Sequence, residues 1–212
     1  MFRSLKCPAL KRPASDEESE AQDQLEVPQL RIVRYRCSAA SPTRHKVSAK
    51  TADIQSGMDC MPSFDTKSFG RIAFETRDTI EFPRGLPGFE DRRRFVAIRQ
   101  ERARPLVFLQ SLEDPGLCFI TAPVLAVDPR FRLKMSEEDR EVADLSSVRR
   151  PRIGKDVWAL GVISVRETGP TVNLLAPLVI NLRSLRAVQA VMRDSAYSHR
   201  HALPEPAEAV CS

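Results

Sequence analysis

From residue 64 onward, apolar and polar residues alternate along the chain in the way that predicts β-strands. Ile72 and Phe74 alternate with Arg71, Ala73 and Glu75, and Ile80 and Phe82 flank Glu81 in the same way. The longest apolar stretch, residues 157–165, is apolar on both faces and predicts the longest strand. Many short strands with turn signals between them indicate a mainly β fold, a compact antiparallel β-barrel-like domain.

Two local signals refine this picture. Residues 113–116, Glu-Asp-Pro-Gly, form a strong turn, so the apolar runs at 106–109 and 117–120 are predicted to pair as a hairpin. One short helix is predicted after Ser136, whose hydroxyl suits the cap of a first turn rich in carboxylates. Residues 185–192 fit either a helix or a strand by their local pattern.

The first 62 residues differ in composition from the rest of the chain. Residues 15–20 are acidic, and only residues 30–35 look like a strand, with no neighbouring partner pattern. Such a segment buries too little apolar surface to offset an ordering cost of about 1–2 kcal/mol per residue. We therefore expect residues 1–62 to be disordered or a non-native extension, with a regulatory tail as the alternative. Residues 63–203 are expected to form the domain, and residues 204–212 a flexible tail.

Composition limits the class of protein. Hydrophobic residues make up 42% of the 212 residues, and no run approaches the ~20 apolar residues that span a membrane. The five scattered cysteines indicate reduced thiols and a cytoplasmic location. The net charge is +5, but the basic clusters at 92–94 and 149–152 are not interleaved with aromatic residues. We interpret them as solvated surface, and we expect neither membrane association nor direct nucleic-acid binding.

The most distinctive segment is the loop that follows the strand at 80–82. Prolines and glycines within residues 83–88 restrict the backbone to one shape. Leu86 and Phe89 add apolar side chains, and Glu90 and Asp91 make the end of the loop acidic. The loop contains no nucleophile and no histidine, so its pattern favours recognition of a partner over proton chemistry.

No pattern typical of an active site occurs in the sequence. Glu113 and Asp114 are adjacent on a turn, which suits turn hydrogen bonds better than a pair of carboxylates opposed across a substrate. His199 and His201 have strand spacing, but a metal site would need a third ligand nearby. We therefore expect no enzyme activity, no metal and no cofactor.

Four blocks of sequence resemble one known family. They are Gly-Leu-Pro-Gly-Phe-Glu at 85–90, Leu-Gln-Ser-Leu-Glu-Asp at 109–114, Thr-Val-Asn-Leu-Leu-Ala-Pro-Leu-Val-Ile-Asn at 171–181, and the segment 194–203. In content and order these blocks resemble the flagellar assembly factor FliW family, over about residues 64–203. The resemblance also implies a strand within 185–192, and we adopt that expectation.

What the resemblance implies is a partner switch. Such proteins bind the carbon storage regulator CsrA, an RNA-binding translational repressor, and relieve its repression of flagellin mRNA. They also bind newly made flagellin, so flagellin that awaits export occupies the protein and leaves the repressor free. The expected function is that of a flagellar assembly factor that couples flagellin translation to flagellum assembly.

The candidate contact residues lie in or beside the resembling blocks. CsrA must be basic where it grips RNA, so carboxylates are its natural contacts. Phe89 is either an anchor for a partner or a pin for its own turn, and Asn173 either faces a partner or belongs to an ordinary strand. The predicted partner-binding residues are Glu81, Phe89, Glu90, Glu113, Asp114 and Asn173.

Two other classes of function are open. A small β-barrel of this kind could bind a flavin and act as an oxidoreductase, which requires a basic, aromatic-lined phosphate pocket. An RNA-binding module is supported only by the net charge, and it predicts RNA binding that weakens strongly with salt.

Overall fold

The computed structural model describes residues 33–34, 62–167, 169–192 and 196–203. The expectations for residues 1–62 and 204–212 fall outside this part of the chain, apart from Val33, Arg34 and Pro62, and the domain boundaries stay a prediction. The strands assigned within it are β1 Val33–Arg34, β2 Ser63–Thr66, β3 Gly70–Ala73, β4 Ile80–Glu81, β5 Arg94–Arg99, β6 Val107–Ser111, β7 Cys118–Pro123, β8 Val157–Arg166, β9 Gly169–Asn181, β10 Ala187–Gln189 and β11 His201–Ala202.

Nine of these strands form one sheet in the order β1-β5-β6-β7-β8-β9-β10, with β4 also paired to β5 and β11 to β9. The strand pairs of this sheet are antiparallel, except that β1 runs parallel to β5 through two residues. The sheet nearly closes on itself, because the N–H of Glu81 in β4 donates to the carbonyl of Leu185, just before β10, at 3.0 Å. The prediction of a mainly β, barrel-like domain is confirmed.

The central strands are buried on both faces, which explains their continuous apolar runs. Along β5, Phe95 and Ala97 belong to the cluster that fills the barrel, whereas Val96 and Ile98 pack with the separate β2–β3 hairpin. Strands β8 and β9 alternate in the same way between the barrel interior and a second cluster that includes residues of both helices. Trp158 in β8 is a core residue, as its strand pattern predicts.

Two short α-helices lie in the described ranges, α1 Val124–Val127 and α2 Glu137–Val142. The sequence pattern predicted only α2, and its cap is confirmed, since Ser136 Oγ accepts the N–H of Asp139 at 3.0 Å. Helix α1 was missed because a single turn of four apolar residues is too short to show a helical period. None of the helices in the described ranges has the length and apolar character needed to cross a membrane.

Two further strand predictions hold. The apolar runs on either side of residues 113–116 pair as the antiparallel hairpin β6–β7, with Val107 opposite Thr121. Residues 187–189 form the strand β10, so the helical alternative for this segment is wrong.

The ladder between β8 and β9 shifts register between Leu160 and Val162, and it resumes with Val162 opposite Asn173.

Candidate partner-binding surface

The loop after β4 is built from three consecutive tight turns. The N–H of Gly85 donates to the carbonyl of Phe82 at 2.8 Å, and the N–H of Phe89 donates to the carbonyl of Leu86 at 2.7 Å. In the second turn Pro87 precedes Gly88, whose φ of 82° is the left-handed value that this turn type requires. We call residues 82–92 the signature loop. Pro87 and Gly88 occupy turn positions that match their backbone preferences, as the sequence pattern predicts.

The structure supports the loop-pin role of Phe89, and its role as a partner anchor stays a prediction. Its side chain is 41% exposed, whereas most large apolar residues in the described ranges are more buried. Its ring also packs edge-on against Phe119 of β7, with the ring centroids 5.3 Å apart. Phe119 thus fixes the position of the loop tip, while the outer face of the Phe89 ring remains available to a partner.

Glu90 is fully exposed at the end of the signature loop, but its carboxylate has a local partner. Oε1 accepts the N–H of Gly88 at 2.9 Å. This hydrogen bond lowers the pKa of Glu90 below its ordinary value. Glu90 therefore presents a charged carboxylate to solvent and is held in place by its own loop.

The carboxylate of Glu113 makes several hydrogen bonds to the start of β5. It accepts the N–H of Arg93 at 2.6 Å, and its other oxygen meets Arg94 Nε at 3.0 Å. Burial alone would raise its pKa, but the Arg94 guanidinium and the N–H groups of Arg93 and Arg94 outweigh burial and lower the pKa. With a side chain only 23% exposed, Glu113 chiefly joins the β6–β7 turn to the start of β5.

The remaining predicted carboxylates divide between turn and surface. Asp114 Oδ1 accepts the N–H of Gly116 at 2.8 Å, which is the turn role foreseen for it. Glu81 is exposed on β4 and lies directly opposite Arg94, the residue that pairs with Glu113. Glu81 and Glu113 therefore flank one arginine, whereas Glu90 lies on the loop. Whether any of them contacts a partner stays a prediction.

Asn173 lies in a groove of about 240 Å³ beside the signature loop. One wall is formed by Leu86 and Pro87 of the loop and by Phe119, the residue that also holds Phe89. We call this cavity the signature groove. Its lining residues are Leu86, Pro87, Phe119, Val162, Ser164, Arg166, Thr171, Asn173, Leu178, Gln189, His199 and Arg200.

Asn173 of β9 lies opposite Val162 of β8, just after the β-bulge between these strands, and both residues line the groove. At the bulge, Gly161 lies so close to β9 that an added Cβ would overlap Val172 Cγ2. Asn173 Oδ1 accepts the N–H of Ala176 at 2.9 Å, which holds the side chain in one orientation. Phe89 and Asn173, 84 positions apart in the sequence, are thereby brought to the same surface through Phe119.

Three basic residues of the groove were not predicted as contact residues. Arg166 ends β8, and His199 and Arg200 precede β11, so strand pairing rather than local pattern brings them together. His199 was considered only as a metal ligand. Within the described ranges, no group of three or more His, Cys, Asp or Glu is placed to hold a metal ion.

The groove differs from the pocket that the flavin alternative requires. Its volume is below the ~300–1,000 Å³ of typical small-molecule sites. Phe119 is the aromatic side chain among its described lining residues, whereas a flavin pocket was expected to be aromatic-lined. The shape suits one or two side chains of a peptide better than a cofactor.

The fold and this surface together define a small, nearly closed β-barrel protein with a rigid loop beside a shallow groove. A family model described as FliW protein matches residues 63–203. The chain belongs to the FliW family, and the resemblance of the four sequence blocks is confirmed.

Individual relatives agree with this membership. The flagellar assembly factor FliW of Syntrophomonas wolfei is 34% identical over 140 residues, which cover 66% of this chain and 87% of that protein. The flagellar assembly factor FliW of Syntrophotalea carbinolica is 36% identical over 141 residues, 64% of this chain and 94% of that protein. A crystal structure of the flagellar assembly factor FliW superposes with a TM-score of 0.59 at 26% identity, over 68% of this chain and 99% of that one.

Proposed function

We propose that this protein is a cytoplasmic flagellar assembly factor that acts by binding other proteins rather than by catalysis. The observation that carries the proposal is the family match over residues 63–203, which is the barrel domain with its signature loop and groove. The similar proteins are named as assembly factors, and the match covers most of their length.

The two partners in this proposal are the repressor CsrA and flagellin. The protein binds CsrA and relieves its repression of flagellin mRNA, and flagellin competes for the protein until it is exported. Competition by mass action then ties translation to assembly, because only protein that is free of flagellin reaches the repressor.

The exposed carboxylates on β4 and the signature loop support a contact with a basic protein. Glu81 and Glu90 are exposed carboxylates, and Phe89 provides a partly exposed ring next to Glu90. The chain as a whole has a net charge of +5, whereas a protein that mimics RNA would be acidic. Direct mimicry of RNA is therefore a poor explanation of how this protein displaces the mRNA from CsrA. Binding beside the RNA site, with release of the mRNA by coupling, is more consistent with this charge.

Calorimetry and stopped-flow kinetics with purified CsrA and purified flagellin test the proposal. Reversing Glu81 and Glu90 to lysine is expected to slow association with CsrA and to change its salt dependence, with no loss of folding. Asp65→Lys, a reversal of an exposed carboxylate on β2, is the matched control and leaves association unchanged.

Two outcomes would contradict the proposal. Absence of binding to both purified proteins would remove the assembly-factor function. A flavin absorbance band in the purified protein, or salt-dependent RNA binding without any protein partner, would favour one of the two alternative functions instead.

A further inference from the structure

We propose that the signature groove holds an extended segment of a partner protein in which a carboxylate lies next to an apolar side chain. The inference rests on the proposed function and deepens it, because it assigns a second contact surface and the chemistry of its occupant. Charge complementarity, the mixed apolar and basic lining of the groove and its small volume support this occupant.

Part of the groove lining is apolar. It comes from Leu86 of the signature loop, Phe119 of β7, Val162 of β8 and Leu178 of β9. Leu86 and Leu178 are buried in the barrel core, so they form a fixed floor rather than a mobile rim. An apolar side chain of a partner would cover Phe119 and extend the edge-on contact that Phe119 makes with Phe89.

A second part of the lining is basic. It consists of Arg166, His199 and Arg200, which are all exposed, and no carboxylate is among the described residues of the lining. This differs from Arg94, which is paired with Glu113 elsewhere on the surface. Two arginines in a concave surface without a matching acid favour an anionic group from outside, and a planar guanidinium binds a carboxylate with two parallel hydrogen bonds.

The remaining part of the lining carries hydrogen-bonding groups. Ser164 and Thr171 contribute hydroxyls, and Asn173 and Gln189 contribute amides. The amides are held in place, since Asn173 Oδ1 accepts the N–H of Ala176 and Gln189 Nε2 donates to the carbonyl of the same residue at 3.1 Å. Such groups suit the backbone of an extended peptide that spans the groove.

This assignment separates two surfaces by charge. Glu81 and Glu90 suit a basic partner, whereas Arg166 and Arg200 suit an acidic segment. A basic partner and an acidic segment do not bind the same side chains. The partner that fills the groove and the partner that contacts the carboxylates therefore make different primary contacts. Competition between them then arises from overlap at the signature loop, which contributes to both surfaces.

The test uses two synthetic peptides and amide NMR spectra of the full chain. The acidic probe is acetyl-Gly-Ser-Leu-Glu-Phe-Ser-Gly-amide, and the matched probe has Gln in place of Glu. At low salt, the acidic probe is expected to shift the amide signals of groove residues and to bind roughly tenfold more tightly than the Gln probe. This preference is expected to weaken as salt is raised.

Variants locate the effect. The double variant Arg166→Glu, Arg200→Glu is expected to abolish the preference for the acidic probe. The control Arg149→Glu, Arg150→Glu reverses two exposed arginines outside the groove and is expected to keep it. The dispersion of the amide signals reports whether charge reversal disturbs the fold. If it does, the double variant Arg166→Gln, Arg200→Gln, which removes both charges without reversing them, replaces the first variant in the test.

The inference is overturned if the acidic probe does not bind, if both probes bind equally, or if the shifted signals lie outside the groove. Loss of the preference in the control pair would also overturn it. Because neither CsrA nor flagellin is present, these outcomes do not depend on the proposed function. A protein that binds both partners but fails the peptide test retains its function and loses only this assignment of the groove.

Discussion

The two glycines of the signature loop provide a matched test of how the loop holds its shape. Gly85 and Gly88 both have positive φ, 67° and 82°, so an alanine at either position is strained. They differ in the space available to a side chain. A Cβ on Gly85 would lie 2.5 Å from the Cα of Glu90, whereas a Cβ on Gly88 would meet nothing within 4 Å.

The expected cost follows from this difference. Left-handed backbone costs a non-glycine residue about 1–2 kcal/mol, and both variants lose that amount. At Gly85 the overlap is with backbone, which has no rotamer to change, so overpacking adds a further cost of about 1–3 kcal/mol. We therefore expect Gly85→Ala to be less stable than Gly88→Ala by about 1–3 kcal/mol in free energy of unfolding.

Urea unfolding followed by circular dichroism, together with thermal unfolding, measures the difference. For a domain of about 150 residues, each kcal/mol corresponds to a change of roughly 2–4 °C in Tm. Gly88→Ala serves as the control for backbone strain alone. Equal stability of the two variants would refute the account of the loop as a closed set of turns with Glu90 packed against Gly85.

Three further predictions follow from the described contacts. Glu113→Gln should lower Tm most near neutral pH, because the lowered pKa of Glu113 means that its charged form stabilises the fold above the ordinary pKa of 4.5. The difference in Tm from the wild-type protein should close as the pH falls below 4.5, and a difference that stays constant with pH would contradict this. Phe89→Ala should lower the free energy of unfolding by only about 1–2 kcal/mol, less than the ~3–5 kcal/mol expected for a buried phenylalanine. It should also weaken partner binding. Unchanged binding would mean that Phe89 only stabilises its own loop. A chain that begins at Met61 should unfold at nearly the same temperature as the full chain. The reason is that the described part of the removed segment pairs with the domain only through the two residues of β1. A large drop in Tm would count against the expected domain boundary.

Local features of this protein could be read from the sequence because their determinants lie close together in the chain. The hairpin β6–β7 follows from apolar runs around a turn of residues 113–116. The start of α2 follows from Ser136, which directly precedes the helix and accepts the N–H of Asp139 three residues later. The signature loop follows from the backbone limits of proline and glycine.

Features set by distant pairings could not be read in the same way. The strand-like residues 30–35 had no visible partner, because the partner of β1 is the edge of β5 more than 60 positions later. The basic part of the signature groove lining includes Arg166 and Arg200, which the strands β8, β9 and β11 bring to the same groove. The internal contacts of Glu113 likewise depend on Arg93 and Arg94, 20 and 19 positions away.

The measurement that tests the central claim most directly follows a labelled flagellin mRNA bound to purified CsrA. Fluorescence anisotropy reports whether the mRNA is bound or free. The account predicts that adding this protein lowers the anisotropy to that of free mRNA, and that adding flagellin restores the bound value. Anisotropy that stays at the bound value when this protein is saturating would contradict the account.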